Sequence, residues 1–202
     1  MRSMGLALTF GQDYSIPTSA GWFLKSESDT ADEGIVGRVR NGDTEAFGIL
    51  VRKYEDFVFT LTKGLTSSAD SAGDVTQETF LRAYKAIRRF EKKASFKTWL
   101  YRIAYNTALN HIKRRKHEIE FEEAHEKIPT GADSDEIAIR ATMKQLIDRL
   151  KPEHKAILIL HYYDDLKYEE IAEVSNCPVG TVKIRLFRAK YELKKLWEKY
   201  AI

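Results

Sequence analysis

The sequence predicts an all-α fold: two small helical domains joined by a flexible acidic linker, the second containing a helix-turn-helix. Three observations lead there. Apolar residues recur at steps of three and four from about residue 32 onward, and no strand-like alternation is sustained anywhere. The charge pattern reverses abruptly, from six Lys/Arg and no acid between Phe96 and His117 to eight Asp/Glu and one Lys between Glu118 and Glu136. Finally, Tyr168 to Leu193 reads as two short helices around a three-residue turn, the parts of a helix-turn-helix.

Residues 1–30 hold no apolar period, and Pro17 breaks any helix there. They read as a flexible extension in which Trp22 and Phe23 are the residues able to dock. Helical patterning begins near Asp32 with Ile35, Val36 and Val39 and breaks at Asn41-Gly42. Asp43 is placed to cap a long helix, with Glu45 favourable in its first turn. Phe47, Leu50, Val51, Tyr54, Phe57, Val58 and Leu61 follow at helical spacing until Gly64 and Ser67-Ser68 close it. Ser71 and Asp74 have the spacing of a capping box, predicting a helix with Val75, Phe80, Leu81, Tyr84 and Ile87 as its apolar residues. The next helix starts near Ser95. Phe96, Trp99, Leu100, Ile103, Thr107 and Ile112 are placed to meet a core, which leaves Tyr105, Asn106 and Asn110 on the exposed side. Residues 31–117 thus form the first predicted domain, 118–134 the linker, and 135–202 the second domain.

That second domain opens at Ser134, a plausible N-cap, on a helix carrying Ile137, Met143, Leu146, Ile147 and Leu150. Lys151-Pro152 restarts the chain into a short apolar helix through residues 156–160, and Asp164-Asp165 reads as an exposed turn. Ile171, Ala172 and Val174 give the first helix of the helix-turn-helix its apolar side. Asn176 tolerates a left-handed turn, and Pro178 sits where a missing N–H costs nothing. Val179, Val182, Leu186, Ala189 and Leu193 then form one buried stripe. At ~100° per residue, Thr181, Lys183, Ile184, Phe187, Arg188 and Tyr191 fall away from it. This pattern fits either a helix that reads a major groove or an ordinary helical hairpin with a solvated basic face.

Composition narrows the choice. A net charge of +3 is too small to prove a nucleic-acid partner, so distribution matters more. Between Phe96 and His117 the basic groups attract phosphates, while amide and aromatic side chains can hold unstacked bases. Trp99 is expected to be packing; Asn106 and the loop from Lys92 to Phe96 are expected to act. The single Cys177 excludes an internal disulfide framework and suits a reducing cytosol. No apolar run approaches the ~20 residues of a membrane span, and no secretory pattern opens the chain, so a cytoplasmic location is expected. The histidines do not combine with Cys177 in a metal-ligand spacing, and phosphate-binding, dinucleotide and nucleophile-elbow motifs are missing. Asp74, Gln77 and Glu78 lie within one helical turn with no nucleophile or metal partner in the sequence, so they read as interface residues. The expectation is a protein without catalysis, metal or cofactor.

Four motifs then carry a resemblance: GDTEAFGILVRKY, DVTQETFLRAYKAIRRF, SFKTWLYRIAYNTALNHIKRR and YEEIAEVSNCPVGTVKIRLFRAK, in that order over roughly residues 32 to 197. The chain resembles the extracytoplasmic-function sigma factors, small two-domain initiation factors of bacterial RNA polymerase. The resemblance implies that residues 31–117 are sigma region 2, which binds core polymerase and the promoter's −10 element. It implies equally that residues 135–202 are region 4, which binds the −35 element. By motif, Asp74, Gln77, Glu78 and Phe80 correspond to the contact with the clamp of the largest subunit. Lys92, Lys93, Ala94, Phe96 and Asn106 correspond to the part that captures a flipped base, whose lost stacking costs a few kcal/mol. Thr181, Lys183, Ile184, Arg185, Phe187 and Arg188 correspond to the −35 contact.

The same resemblance implies core polymerase (clamp and flap regions), promoter DNA and an anti-sigma factor as partners. Ile184 departs from the small polar residue common at its position, and either reads a thymine methyl or alters the −35 preference. Glu91-Lys92-Lys93 is a charged version of the base-capturing loop. Two rivals remain at this level: a stand-alone dimeric helix-turn-helix regulator, which leaves the DVTQETF and WLYRIAYNTA segments unexplained, and a nucleic-acid enzyme, which lacks a catalytic cluster.

Overall fold

Eight α-helices and one 3-10 turn make up the structure, a computed structural model that describes residues 27–66, 68–91, 93–119 and 135–200; no strand occurs among them. The helices are α1 (Glu27–Arg40), α2 (Thr44–Thr66), α3 (Ala69–Ala86), α4 (Phe96–Ile119), α5 (Asp135–Asp148), α6 (Pro152–Tyr162), α7 (Tyr168–Ser175) and α8 (Val179–Tyr200). Trp22, Phe23 and residues 120–134 of the predicted linker lie outside the described residues. Because α4 runs to Ile119, Glu118 and Ile119 are helical rather than linker.

The helix starts follow from local chemistry. Asp43 accepts a hydrogen bond from the Ala46 N–H at 3.0 Å, satisfying an otherwise orphaned donor at the start of α2. Arg38 beside it holds the Asp43 carboxyl below the usual carboxylate range. Ser95 serves α4 in the same way, accepting from the Thr98 N–H at 3.1 Å. The expected capping box at Ser71 and Asp74 is corrected. Ser68 is the N-cap of α3 and accepts from the Ser71 N–H, so Ser71 already lies inside the helix. Extended backbone at Ser68, whose carbonyl accepts from the Thr66 hydroxyl, fixes the earlier start.

Helices α1 to α4 bury Leu50, Val58, Leu61, Val75 and Leu100 completely. Each such side chain contributes on the order of 1.5–3 kcal/mol relative to exposure. Two polar features brace this half. Asp32 is buried on α1 and meets Lys53 and Tyr54 of α2. Arg40 donates to the backbone carbonyls of Ile87 (3.1 Å) and Phe90, where the chain leaves α3. The second half buries Leu146, Ile157, Leu160, Ile171, Val174 and Val182 among α5 to α8. Lys155 is buried there against Asp148 at 2.9 Å.

The two halves are not held apart. Helix α4 packs against α7, and α2 packs against α6. Gly64 on α2 makes room for α6: a Cβ there would lie 2.1 Å from Ile159 Cδ1. Lys97 donates to the Asp164 backbone carbonyl at 3.3 Å, and Arg102 to Asn176 Oδ1 at 3.4 Å. Two expectations are corrected by this contact. Tyr105, placed on the exposed side by helical spacing, is only 4 % exposed, because α4 has a second buried face against the second half. Asp164, expected as an exposed turn residue, is also 4 % exposed, because its turn folds against Lys97 and Tyr101.

Candidate nucleic-acid interface

The turn between α7 and α8 is built as its sequence requires. Asn176 adopts the left-handed conformation (φ 49°), which Asn tolerates better than most residues, and its backbone N–H bonds the Ala172 and Glu173 carbonyls. The Cys177 N–H closes the turn on the Ala172 carbonyl at 3.1 Å, and the Pro178 carbonyl receives the Val182 N–H at 3.1 Å. Helix α8 therefore leaves with Val182, Leu186 and Ala189 buried and the opposite row outward.

That outward row is basic and apolar together. Ile184 is 53 % exposed and Phe187 70 %, with Lys183 and Arg188 exposed beside them. Such large apolar groups gain nothing from water, but they can meet thymine methyls while the cations grip phosphates or guanine edges. Lys183 also lies over the Tyr168 ring at 5.8 Å. Thr181 is half-buried in the first turn of α8. Arg185 departs from the row: its Nη1 lies 3.9 Å from Cys177 Sγ, close to Tyr105 of the first half.

A second surface opens where α4 begins. Its cavity of about 340 Å³ has Arg89, Lys93 and Arg102 as cations, Trp99 as an aromatic wall, and Glu173 of α7 as an acidic one. Phe96 is 2 % exposed and supports the wall from below, its ring 5.6 Å from Trp99 and 6.0 Å from Phe90. It is thus a brace for the pocket rather than a free contact. Ala94 lines the cavity, whereas Asn106 is exposed on α4 one turn beyond Arg102 and outside the cavity lining. Lys92 lies outside the described residues. Lys93 pairs with Glu91 at 2.5 Å, which holds the Glu91 carboxyl below and the Lys93 amine above their usual ranges. An aromatic wall flanked by cations is suited to stacking and holding one unpaired base. Arg89, Trp99 and Arg102 were missed as site residues. The spacing Trp99, Arg102, Asn106 was the available signal, since steps of three and four share a helix face.

A third surface, between α2 and α3, is a cavity of about 540 Å³ lined by Phe47, Val51, Phe59, Gln77, Leu81 and Tyr84 among others. Asp74 is exposed, and Phe80 is 8 % exposed at the cavity's lining. Glu78 is held by Arg82 at 2.5 Å and by Arg114 of α4 at 3.8 Å. Leu81 (54 % exposed) and Tyr84 (40 %), expected with the apolar residues of their helix, point outward. A mostly apolar groove with exposed Leu and Tyr is suited to a protein partner. No group of three or more metal-ligating side chains forms among the described residues, and none of their helices is long and apolar enough to cross a membrane.

Residues 50–118 match the Sigma-70 region 2 family and residues 140–193 the Sigma-70, region 4 family. The chain is 37 % identical over 178 residues to the RNA polymerase sigma-H factor of Pseudomonas aeruginosa, covering 81 % of this chain and 92 % of that protein. It is 36 % identical over 174 residues to the ECF RNA polymerase sigma-E factor of Escherichia coli, covering 79 % and 90 %. The chain belongs to the extracytoplasmic-function sigma factors of the sigma-70 family. As a sigma factor it directs bacterial RNA polymerase to promoters, so its partners are core polymerase and promoter DNA. Two solved structures share its fold. One is CnrH in complex with the cytosolic domain of CnrY, with a TM-score of 0.64 at 22 % identity, covering 84 % of this chain and 98 % of that one. The other is the sigma factor RpoE in complex with the anti-sigma factor NepR from Bartonella quintana, with a TM-score of 0.62 at 22 % identity, covering 77 % and 98 %.

Proposed function

We propose that this sigma factor divides promoter recognition between its two outward surfaces. In the second domain, residues 135–202, the row Lys183, Ile184, Phe187 and Arg188 enters the major groove of the −35 element, with Thr181 at its edge. In the first domain, residues 31–117, the cavity beside Trp99 takes a flipped base of the −10 element, with Lys92, Lys93, Ala94 and Asn106 along the strand and Phe96 beneath. The α2–α3 groove, with Gln77 and Phe80 in its lining, receives the clamp of the polymerase, and Asp74 and Glu78 of the same helix add to the contact. The observation that carries the reading is the exposure of Ile184 and Phe187 on a basic helix that follows a left-handed turn. The chain performs no catalysis itself, supplies no cofactor, and works in the cytoplasm, where polymerase is found. Its structural neighbours were solved with anti-sigma factors or cytosolic partner domains, which supports control of this chain by an anti-sigma factor of its own.

In vitro transcription with purified core enzyme and a pool of randomised promoters tests this. Specific starts with a shared −35 and −10 pattern are expected, and Phe187→Ala is expected to erode the −35 pattern alone. Starts indistinguishable from core enzyme without the factor overturn the reading.

A further inference from the structure

Two tyrosines at the end of α6 take no part in the surfaces described above: Tyr162 is 57 % exposed and Tyr163 69 %. They adjoin a stripe of cations. Lys183, Phe187, Lys190 and Lys194 recur on α8 at steps of four, three and four, so they share one flank of the helix, and none of them is an acid. Phe187 belongs to the outward row as well, so flank and row are continuous. The Lys190 Nζ lies 5.0 Å from the centre of the Tyr162 ring, much as the Lys183 Nζ lies over Tyr168. His161 stands between the two tyrosines, its ring 4.8 Å from Tyr162 and 5.0 Å from Tyr168. Three neighbouring rings thus hold two lysines in place.

A lysine already resting on a ring has lost part of its rotamer freedom, so an anion meets it at a lower entropic cost. Position decides which anion. Recognition helices meet base edges with their N-terminal residues. At 1.5 Å per residue, Lys190 and Lys194 lie about 10 and 16 Å beyond Lys183 along α8. The major groove is only about 8.5 Å deep, so these two lysines stand at the level of the backbone that borders it. A tyrosine hydroxyl and a lysine amine both donate, and phosphate oxygens accept. Asp165, exposed in the turn after Tyr163, repels phosphate and sets one edge of the patch. Lys194 is 3.8 Å from Glu198, which leaves Lys190 as the stronger cation of the pair.

We propose that Tyr162, Tyr163, Lys190 and Lys194 grip the phosphate backbone bordering the −35 element, beside the groove that Ile184 and Phe187 read. Placing the grip at the −35 edge rests on the reading of that row; the contact with phosphate does not. Such a contact fixes register without reading bases, so it adds the same affinity to every promoter.

Binding of the holoenzyme, core polymerase with the full-length chain, to promoter duplexes between 50 and 200 mM salt tests this. Lys190→Gln is expected to weaken binding about equally on all −35 sequences and to lower the salt slope by about one. The gap between wild type and variant then narrows about threefold across that salt range. Tyr163→Ala is expected to weaken binding about twofold to tenfold with the slope unchanged, since it removes a hydrogen bond and no charge. Duplexes with single phosphates neutralised as methylphosphonates locate the contact. One or two positions bordering the −35 element are expected to weaken wild type and to have no further effect on Lys190→Gln. An unchanged slope, with every neutral phosphate felt equally by both proteins, overturns the grip. So does a Lys190→Gln protein that assembles poorly with core yet binds DNA normally once assembled, which assigns the patch to an acidic protein surface instead. Phe187→Ala separates the two readings. If it leaves the −35 preference intact while Lys190→Gln behaves as expected, the base-reading row fails and the phosphate contact stands. If it erodes the preference while Lys190→Gln changes nothing, the row stands and the grip fails.

Discussion

Helices α4 and α8 are the two basic helices of this sigma factor, similar in length (24 and 22 residues), yet they meet the protein in different ways. Helix α8 has one buried stripe and one outward row, so structural and contacting residues separate cleanly around it. Helix α4 is buried on two sides, Leu100 and Phe96 in the core of the first half and Tyr105 against the second. Its exposed strip is narrow through Arg102, Asn106 and Asn110 and widens only at Lys113, Arg114 and Arg115. A helix wrapped this way positions a pocket rigidly at the cost of free surface. One buried along a single stripe offers more contacts but relies on its turn for aim.

The comparison breaks if substitutions in α4 behave like those in α8. Leu100→Ala is expected to destabilise the protein by about 2–5 kcal/mol, because the buried site loses contacts and leaves a cavity; thermal or urea unfolding measures it. The aim of α8 is tested at its turn. Asn176→Val places a β-branched residue at φ 49° and is expected to cost about 1–2 kcal/mol, whereas Asn176→Gly is expected to be tolerated. Smaller again, Phe187→Ala is expected to weaken binding to a −35 duplex by about 1 kcal/mol, roughly fivefold, while changing stability by less than about 0.5 kcal/mol. Unfolding by Phe187→Ala would erase the distinction between the helices. The smallest effects sharpen the description of α3, which braces α4: Ser68→Ala is expected to cost up to about 1 kcal/mol of stability through its lost cap, and Ser71→Ala a few tenths.

These differences also explain what the sequence could reveal. A helical wheel assumes one inside and one outside, and for α8 that holds, so Lys183, Ile184, Phe187 and Arg188 were legible as an outward row. Asn176 and Asp43 were legible for a related reason: a left-handed turn and an N-cap are local features, decided by a few neighbouring residues. Tyr105, Asp164 and Arg185 were not legible, because their surroundings come from residues more than fifty positions away in sequence, across an acidic segment that reads as a separator. Ser68 and Ser71 fall between these cases. Both are good capping residues three positions apart, and the backbone at Ser68 decides between them. Leu81 and Tyr84 mark a further limit, since apolar residues spread too widely around α3 to share one core face, and no local rule says which of them faces a partner.

Helix α1 bears on how the chain should be cut. The region 2 match begins at residue 50, yet Asp32 lies buried under Lys53 and Tyr54, and Arg40 ties down the carbonyls where the chain turns from α3 toward the base-holding cavity. A fragment trimmed to the matched segment removes that strut while keeping the cavity's lining residues of the first half and losing Glu173. Such a fragment is expected to fold with a slack loop and to underestimate strand affinity. An expression fragment of the first half should therefore begin before residue 27.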